Sequence, residues 1–183
     1  MLVAVVGPSG AGKDTLMEAV RMRLGGRPGF RFVRRAITRP ADAGGEAHEA
    51  LDRAAFLARR DAGGFALWWE AHGLFYGISR DIEADLAAEG TVIANLSRTV
   101  LAEANAAYRL LVLEITAPPE VLAARLAARG REDAAMVAAR LARQAPLPAG
   151  LRVARVMNDG TVEAGVAQVL AALGASDQAP GVG

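Results

Sequence analysis

The chain has 183 residues, 19.0 kDa in mass, a suitable size for one compact domain with a real core. A hydrophobic share of 52% with only 5% aromatics and abundant alanine points to small-residue, helix-rich packing in an α/β or all-α protein rather than a sandwich. The absence of cysteine excludes disulfides and thiolate metal sites, and a formal net charge of +1 argues against a phosphate-tracking nucleic-acid surface, which needs a large basic excess.

Leu2 to Val6 is a short continuous apolar run, as in a strand buried on both faces. Residues 7 to 14 follow as GPSGAGKD, in which Gly7, four residues and then Gly12-Lys13 begin a phosphate-binding P-loop. Leu16, Val20 and Leu24 recur every four residues, marking a helix that begins near Lys13 and stops before Gly25-Gly26. Strand, glycine-rich turn and helix is the context the motif needs. Its backbone N–H groups and the helix dipole converge on one spot and favour an anion there. Of the 21 basic residues, Lys13 is the only lysine, and it falls where a slim point charge must reach between phosphates. The next position calls for a Ser or Thr to hold magnesium but is Asp14. A carboxylate there is unfavourable beside phosphates unless a divalent cation lies between them.

Between residues 34 and 77 lies a second constellation. RRAITRPADAGGEAH brings Arg34, Arg35 and Arg39 together ahead of Glu46, and GGFALWWEAHGLFYGIS offers Glu70, His72 and Tyr76. Arginine binds phosphate bidentately, a nearby carboxylate orients it, and a tyrosine hydroxyl adds a neutral donor. Trp68 and Trp69 read as packing residues and His48 as a surface residue, while His72 is open between core hydrogen bonding and substrate contact. Helical stretches are expected at Arg53 to Arg60 and Ile82 to Glu89. The strand Thr91 to Ala94 ends at Asn95, where a P-loop kinase often carries an acidic metal ligand. Asp14 then supplies, from the helix, the charge missing from that strand.

Leu110 to Ile115 is a further buried strand, followed by helices at Pro119 to Arg129 and Asp133 to Gln144. Arg125 and Arg129 share a helix face, Gly130 breaks the helix, Arg131 follows, and Arg140 and Arg143 lie on the next helix. Below the P-loop these read as a lid closing positive charge over a transferring phosphate. A strand at Leu151 to Val156 and a helix at Thr161 to Leu173 complete a parallel sheet core flanked by helices. The tail 174–183 has no apolar pattern and is expected to be disordered. With no basic n-region before the first apolar run and no stretch long enough to span a bilayer, a cytoplasmic protein without membrane partners is expected.

The order of P-loop, TRP with a downstream GE, WE, YG, RLAARGRE and MNDG resembles the guanylate kinase superfamily across nearly the whole chain. GPSGAGKD, RRAITRPA, GGEAH, WEAHGLFYGI, NLSR and RGRE together are more similar to its ribose 1,5-bisphosphate phosphokinase branch. The resemblance implies an α/β P-loop kinase, a single domain over 1–173 with an acceptor-binding insertion at about 34–80 and a helical lid at about 125–143. The implied reaction converts ribose 1,5-bisphosphate and ATP to 5-phosphoribosyl 1-diphosphate (PRPP) and ADP in phosphonate breakdown, with Mg2+. A guanylate kinase acting on GMP, or a non-catalytic module of the same fold, is the alternative.

The roles implied are these. ATP is held by Gly7, Pro8, Ser9, Gly10, Ala11, Gly12, Lys13, Asp14 and Thr15, with Arg129 and Asn158, and magnesium by Asp14. Lys13, Arg131 and Arg140 assist transfer. The acceptor is held by Arg35, Arg39, Glu46, Glu70, His72 and Tyr76. The second arginine of the guanylate kinase TR-x-P-R stretch and the tyrosine after its Glu have no counterpart, and Asn95 replaces an Asp that helps recognise guanine. No catalytic base is needed, because a phosphate acceptor is already an oxyanion at neutral pH.

Overall fold

The structure, a computed structural model, describes residues 1–41, 46–127 and 146–175. In chain order the elements are β1 (Leu2–Val6), α1 (Lys13–Leu24), β2 (Phe30–Phe32), β3 (Ala36–Ile37), β4 (Glu49–Ala50), α2 (Arg53–Asp61), β5 (Phe65–Ala71) and β6 (Leu74–Ser79). After them come α3 (Ile82–Ala87), β7 (Thr91–Asn95), a 3-10 turn at Arg98–Val100, α4 (Leu101–Ala107), β8 (Leu110–Thr116), α5 (Pro119–Ala127), β9 (Val153–Met157) and α6 (Val162–Leu173). Strand order in the larger sheet is β2-β7-β1-β8-β9, with β2 parallel to β7 and β8 parallel to β9. The α/β core with helices that the sequence implies is therefore present. The expected helix Asp133 to Gln144 and the tail from residue 176 lie outside the described residues.

A single domain is the sequence expectation, and the fold divides into two compact units: Met1–Ala4 with Gly26–Leu111, and Val5–Gly25 with Val112–Gly183. In the second, α1 buries Leu16, Met17, Val20 and Leu24 and α6 buries Val166, Val169 and Leu170. The two helices meet closely at Gly165, where an added Cβ would lie 2.8 Å from Leu16 Cδ1. Thr161 is the N-cap of α6 rather than its first residue, its side chain accepting from the Ala164 N–H at 3.2 Å. The last strand begins at Val153, two residues later than its apolar pattern suggests.

The first unit holds a four-stranded mixed sheet, β4-β3-β6-β5, that apolar periodicity does not announce. Its hairpin, β5 to β6, turns on His72 and Gly73 with φ of 53° and 73°. Two consecutive positive φ values are the signature of a two-residue type I′ turn, whose twist matches that of the strands. A bulge between Phe65 and Leu67 swings Phe65 onto the face of Trp68 and Phe75, where Phe56 of α2 stacks on Phe65 at 4.5 Å and on Phe75 at 5.4 Å. Gly77 is required below that ring, because its Cβ would lie 2.6 Å from Phe65 Cδ1. The opposite face carries Trp69 and Tyr76, cross-strand partners stacked at 5.4 Å and 5°. Trp69 is buried as expected, whereas Trp68 is 40% exposed with Arg60 over its ring. α3 ends at Ala87, short of Glu89, which takes a φ of 60° before Gly90.

Candidate functional site

The phosphate loop connects β1 to α1, and its shape is set by what has no room to change. A Cβ on Gly7 (φ 147°) would lie 1.9 Å from the Ile115 carbonyl oxygen, and one on Gly12 (φ 79°) would lie 2.5 Å from Asn158 Nδ2. Gly12 is the left-handed N-cap of α1, so the first N–H groups of the helix point into the loop. Lys13 Nζ donates to the carbonyls of Gly7 at 2.8 Å and Pro8 at 2.9 Å, which fixes the ammonium against the loop. Pro8, Gly10 and Ala11 are buried, while Ser9, Asp14 and Thr15 are exposed.

Asp14 lies in the first turn of α1, where the dipole favours a carboxylate. Among the described residues no group of three or more His, Cys, Asp or Glu side chains forms a metal cage. An exposed lone carboxylate beside a phosphate cradle fits Mg2+, which is commonly bound through one or two carboxylates together with substrate phosphates and water.

Asn158, expected among the ATP-binding residues, is 7% exposed and is bonded to the loop. Its Nδ2 donates to the Ala11 carbonyl at 2.7 Å, and its own N–H donates to the Thr116 carbonyl at 2.7 Å. The end of β9 thereby clamps the P-loop from beneath. Sequence reasoning placed Arg125 only on the lid helix, yet its Nη1 comes within 3.9 Å of the Cβ position of Gly12 and is buried without a hydrogen-bond partner. Arg129, Arg131 and Arg140 lie outside the described residues.

In the first unit the structure brings Arg35, Glu46 and Tyr76 together. Arg35 lies over the Tyr76 ring at 5.0 Å and the Trp69 ring at 5.8 Å, and its Nε donates to Glu46 Oε1 at 2.6 Å. Both partners of this ion pair are mostly buried, with side chains 19% and 17% exposed. The other carboxylate oxygen, Oε2, accepts from Asn95 Nδ2 at 2.6 Å. With Nε spent on Glu46, the two Nη groups are the edge that Arg35 can offer an anion.

Arg39 is a neighbour of this group through His48, which is half-buried and not a simple surface residue. His48 Nδ1 lies 3.0 Å from the Glu46 carbonyl oxygen and 3.3 Å from Arg39 Nη2, and its Nε2 lies 3.1 Å from the Arg39 carbonyl oxygen, so the ring joins the two residues. Arg39 Nε is buried without a partner. The residue also lines a cleft of about 450 Å³ with Thr38, Pro40, Leu51, Asp52 and Arg53.

Glu70 and His72 do not join the cluster. Glu70 is paired with Phe75, on the face opposite Trp69 and Tyr76, and is exposed; His72 is exposed at the hairpin tip, where its backbone makes the turn. Arg34 is exposed as well.

No protein-family model matches the chain. The fold is similar to that of guanylate kinase from Anaplasma phagocytophilum, with a TM-score of 0.64 over 95% of this chain and 84% of that one at 19% identity. In sequence the chain is 49% identical over 164 residues to ribose 1,5-bisphosphate phosphokinase PhnN of Agrobacterium fabrum, covering 88% of this chain and 90% of that protein. The chain belongs to the ribose 1,5-bisphosphate phosphokinase family. A second relative is the bifunctional ribose 1,5-bisphosphokinase-thymidine phosphorylase of Azorhizobium caulinodans, 53% identical over 171 residues. That match covers 92% of this chain but 25% of the bifunctional protein, so the phosphokinase family includes members with this region as about a quarter of a longer chain.

Proposed function

We propose that this chain is an ATP-dependent kinase that converts ribose 1,5-bisphosphate to PRPP, releasing ADP. The observation that carries the reading is the near full-length identity with the PhnN phosphokinases. In the reaction an oxygen of the 1-phosphate attacks the γ-phosphorus of ATP, and the bond from that phosphorus to the β,γ-bridging oxygen breaks. ADP leaves with the bridging oxygen, so no proton has to be removed from the acceptor.

The loop N–H groups and the N-terminus of α1 bind the donor phosphates, with Lys13 turning from the loop carbonyls to the β and γ oxygens. Asp14 would hold Mg2+, which would supply positive charge to offset that gathered on those oxygens. Arg35, set by Glu46, binds an acceptor phosphate through its Nη edge, Arg39 binds beside it, and Tyr76 supports Arg35. Arg129, Arg131 and Arg140, which lie outside the described residues, would stabilise the transferring group by their charge. We assign the reaction to phosphonate breakdown in the cytoplasm. No helix among the described residues is long and apolar enough to cross a membrane.

The deciding experiment gives the purified protein ATP and Mg2+ with either ribose 1,5-bisphosphate or GMP. Formation of PRPP at a kcat/KM well above that of GMP phosphorylation is expected, with loss of both in Lys13→Ala and a steeper magnesium requirement in Asp14→Ala. A preference for GMP would overturn the acceptor assignment, and no turnover with either would leave a binding module.

A further inference from the structure

Asn95 ends β7 where the sequence suggests an acidic residue is missing, and its surroundings give that substitution a local reason. Its Nδ2 donates to Glu46 Oε2 at 2.6 Å. A carboxylate only accepts, so the amide has one possible orientation: nitrogen toward Glu46 and Oδ1 away from it. Oδ1 is buried and has no hydrogen-bond partner. Buried acceptors are nearly always paired, so this one calls for a donor. Glu46 in turn receives Arg35 Nε on its other oxygen, and Arg35 lies over Tyr76 and Trp69. An Asp at position 95 would put two carboxylates within hydrogen-bond distance, where their mutual repulsion when both are ionised raises the pKa of one of them. The resulting competition would loosen the grip of Glu46 on Arg35.

We propose that Asn95 is a specificity-determining residue of the acceptor site: its amide nitrogen positions Arg35 through Glu46, and its Oδ1 accepts a hydroxyl of a sugar phosphate. The proposal rests on the sugar-phosphate reading above. A ribose phosphate brings hydroxyl donors that a buried amide oxygen can take. Removing that acceptor removes the reason to prefer a substrate that carries the hydroxyl. Asn95 acts on the acceptor alone and leaves ATP binding to the loop.

The test compares wild type, Asn95→Asp and Asn95→Ala from about pH 8 down to about pH 6, a window in which one of two facing carboxylates with a raised pKa becomes protonated. At the upper end both variants should raise the acceptor KM by about tenfold or more relative to wild type, with ATP KM unchanged. As the pH falls, the carboxyl introduced by Asn95→Asp takes up a proton and can donate to Glu46, so its KM returns toward wild type. Asn95→Ala has nothing to protonate and stays raised throughout. The recovery occurs within one folded protein, so a variant that merely folds badly would not show it. Wild type should also prefer ribose 1,5-bisphosphate over its 2-deoxy or 3-deoxy analogue by about tenfold, and Asn95→Ala should lose that preference.

A flat ratio of Asn95→Asp to wild type across pH, or a change in ATP KM instead, would overturn the positioning role. An undiminished preference for the hydroxyl in Asn95→Ala would overturn the contact through Oδ1. If wild type phosphorylates GMP and not ribose 1,5-bisphosphate, the acceptor reading fails, and the hydroxyl contact is then decided by GMP against its 2′-deoxy analogue, since GMP carries the same ribose hydroxyls. The same pH comparison made with GMP then still decides whether Asn95 positions Arg35.

Discussion

Around the phosphate loop the groups that fix the geometry are main-chain ones: two glycines with no room for a Cβ, two carbonyls that receive Lys13, and one carbonyl that receives Asn158. Around Arg35 the same task falls to side chains: a carboxylate bonded on both oxygens, an amide, and a pair of stacked rings. A site built from backbone tolerates few residue types and keeps its shape whatever the neighbouring side chains do. A site built from side chains can be re-aimed by one exchange. The contrast suits a donor common to many kinases and an acceptor that differs among them.

The largest effect should come from the backbone side. Gly7→Ala sets a methyl group against the Ile115 carbonyl and strains a positive φ, so we expect a loss of about 3 kcal/mol or more in thermal unfolding, with ATP binding abolished. Next comes Arg35→Lys, which keeps the charge but loses the Nε bond to Glu46 and the planar stacking on Tyr76 and Trp69. Acceptor KM should rise by about thirtyfold, equivalent to about 2 kcal/mol, while ATP KM holds. If ATP KM rose as much, the two regions would not be separable. Asn158→Ala sharpens the contrast from the other side: it leaves the Ala11 carbonyl unpaired and should raise ATP KM by about tenfold with acceptor KM constant.

The smallest effect is expected away from both regions. Arg31 of β2 ties to Asp81 at 2.8 Å and to Asp85. Burial pushes the Asp81 carboxyl up, but hydrogen bonds from Arg31 and Ser79 outweigh it and leave the group below its ordinary value. A lowered folded-state pKa contributes stability above the unfolded value of about 3.9, which is lost as pH falls through the folded value. Because the pair is well exposed, Arg31→Ala should cost at most about 1 kcal/mol near neutrality, shrinking in acid, with neither KM affected. Acid melts of the two proteins that stayed equally far apart would contradict that origin.

This difference in construction also explains what could be read in the sequence. The P-loop was legible because its glycines, its lysine and the flanking strand and helix each answer a backbone requirement at a fixed spacing. Asn158 was legible as a position but not as a clamp, since its partner is a main-chain carbonyl 147 residues away. The proposed acceptor cluster was legible only as composition. Arg35, Glu46 and Tyr76 meet as read, but Glu70 and His72 are separated from them by strand parity and by the turn, and both depend on a hairpin that no apolar alternation announced. The Phe65 bulge breaks the period of two that would have revealed it. Asn95 was legible as the place of a missing carboxylate, but not as the partner of Glu46.

Lys13 is the only lysine in the chain, and it stands at the first position of α1 with its ammonium turned onto the loop carbonyls. A protease that cuts only after lysine therefore has a single bond to attack, between Lys13 and Asp14. Cleavage would split the protein within its phosphate loop, and protection of that one bond would report nucleotide occupancy as a single band on a gel.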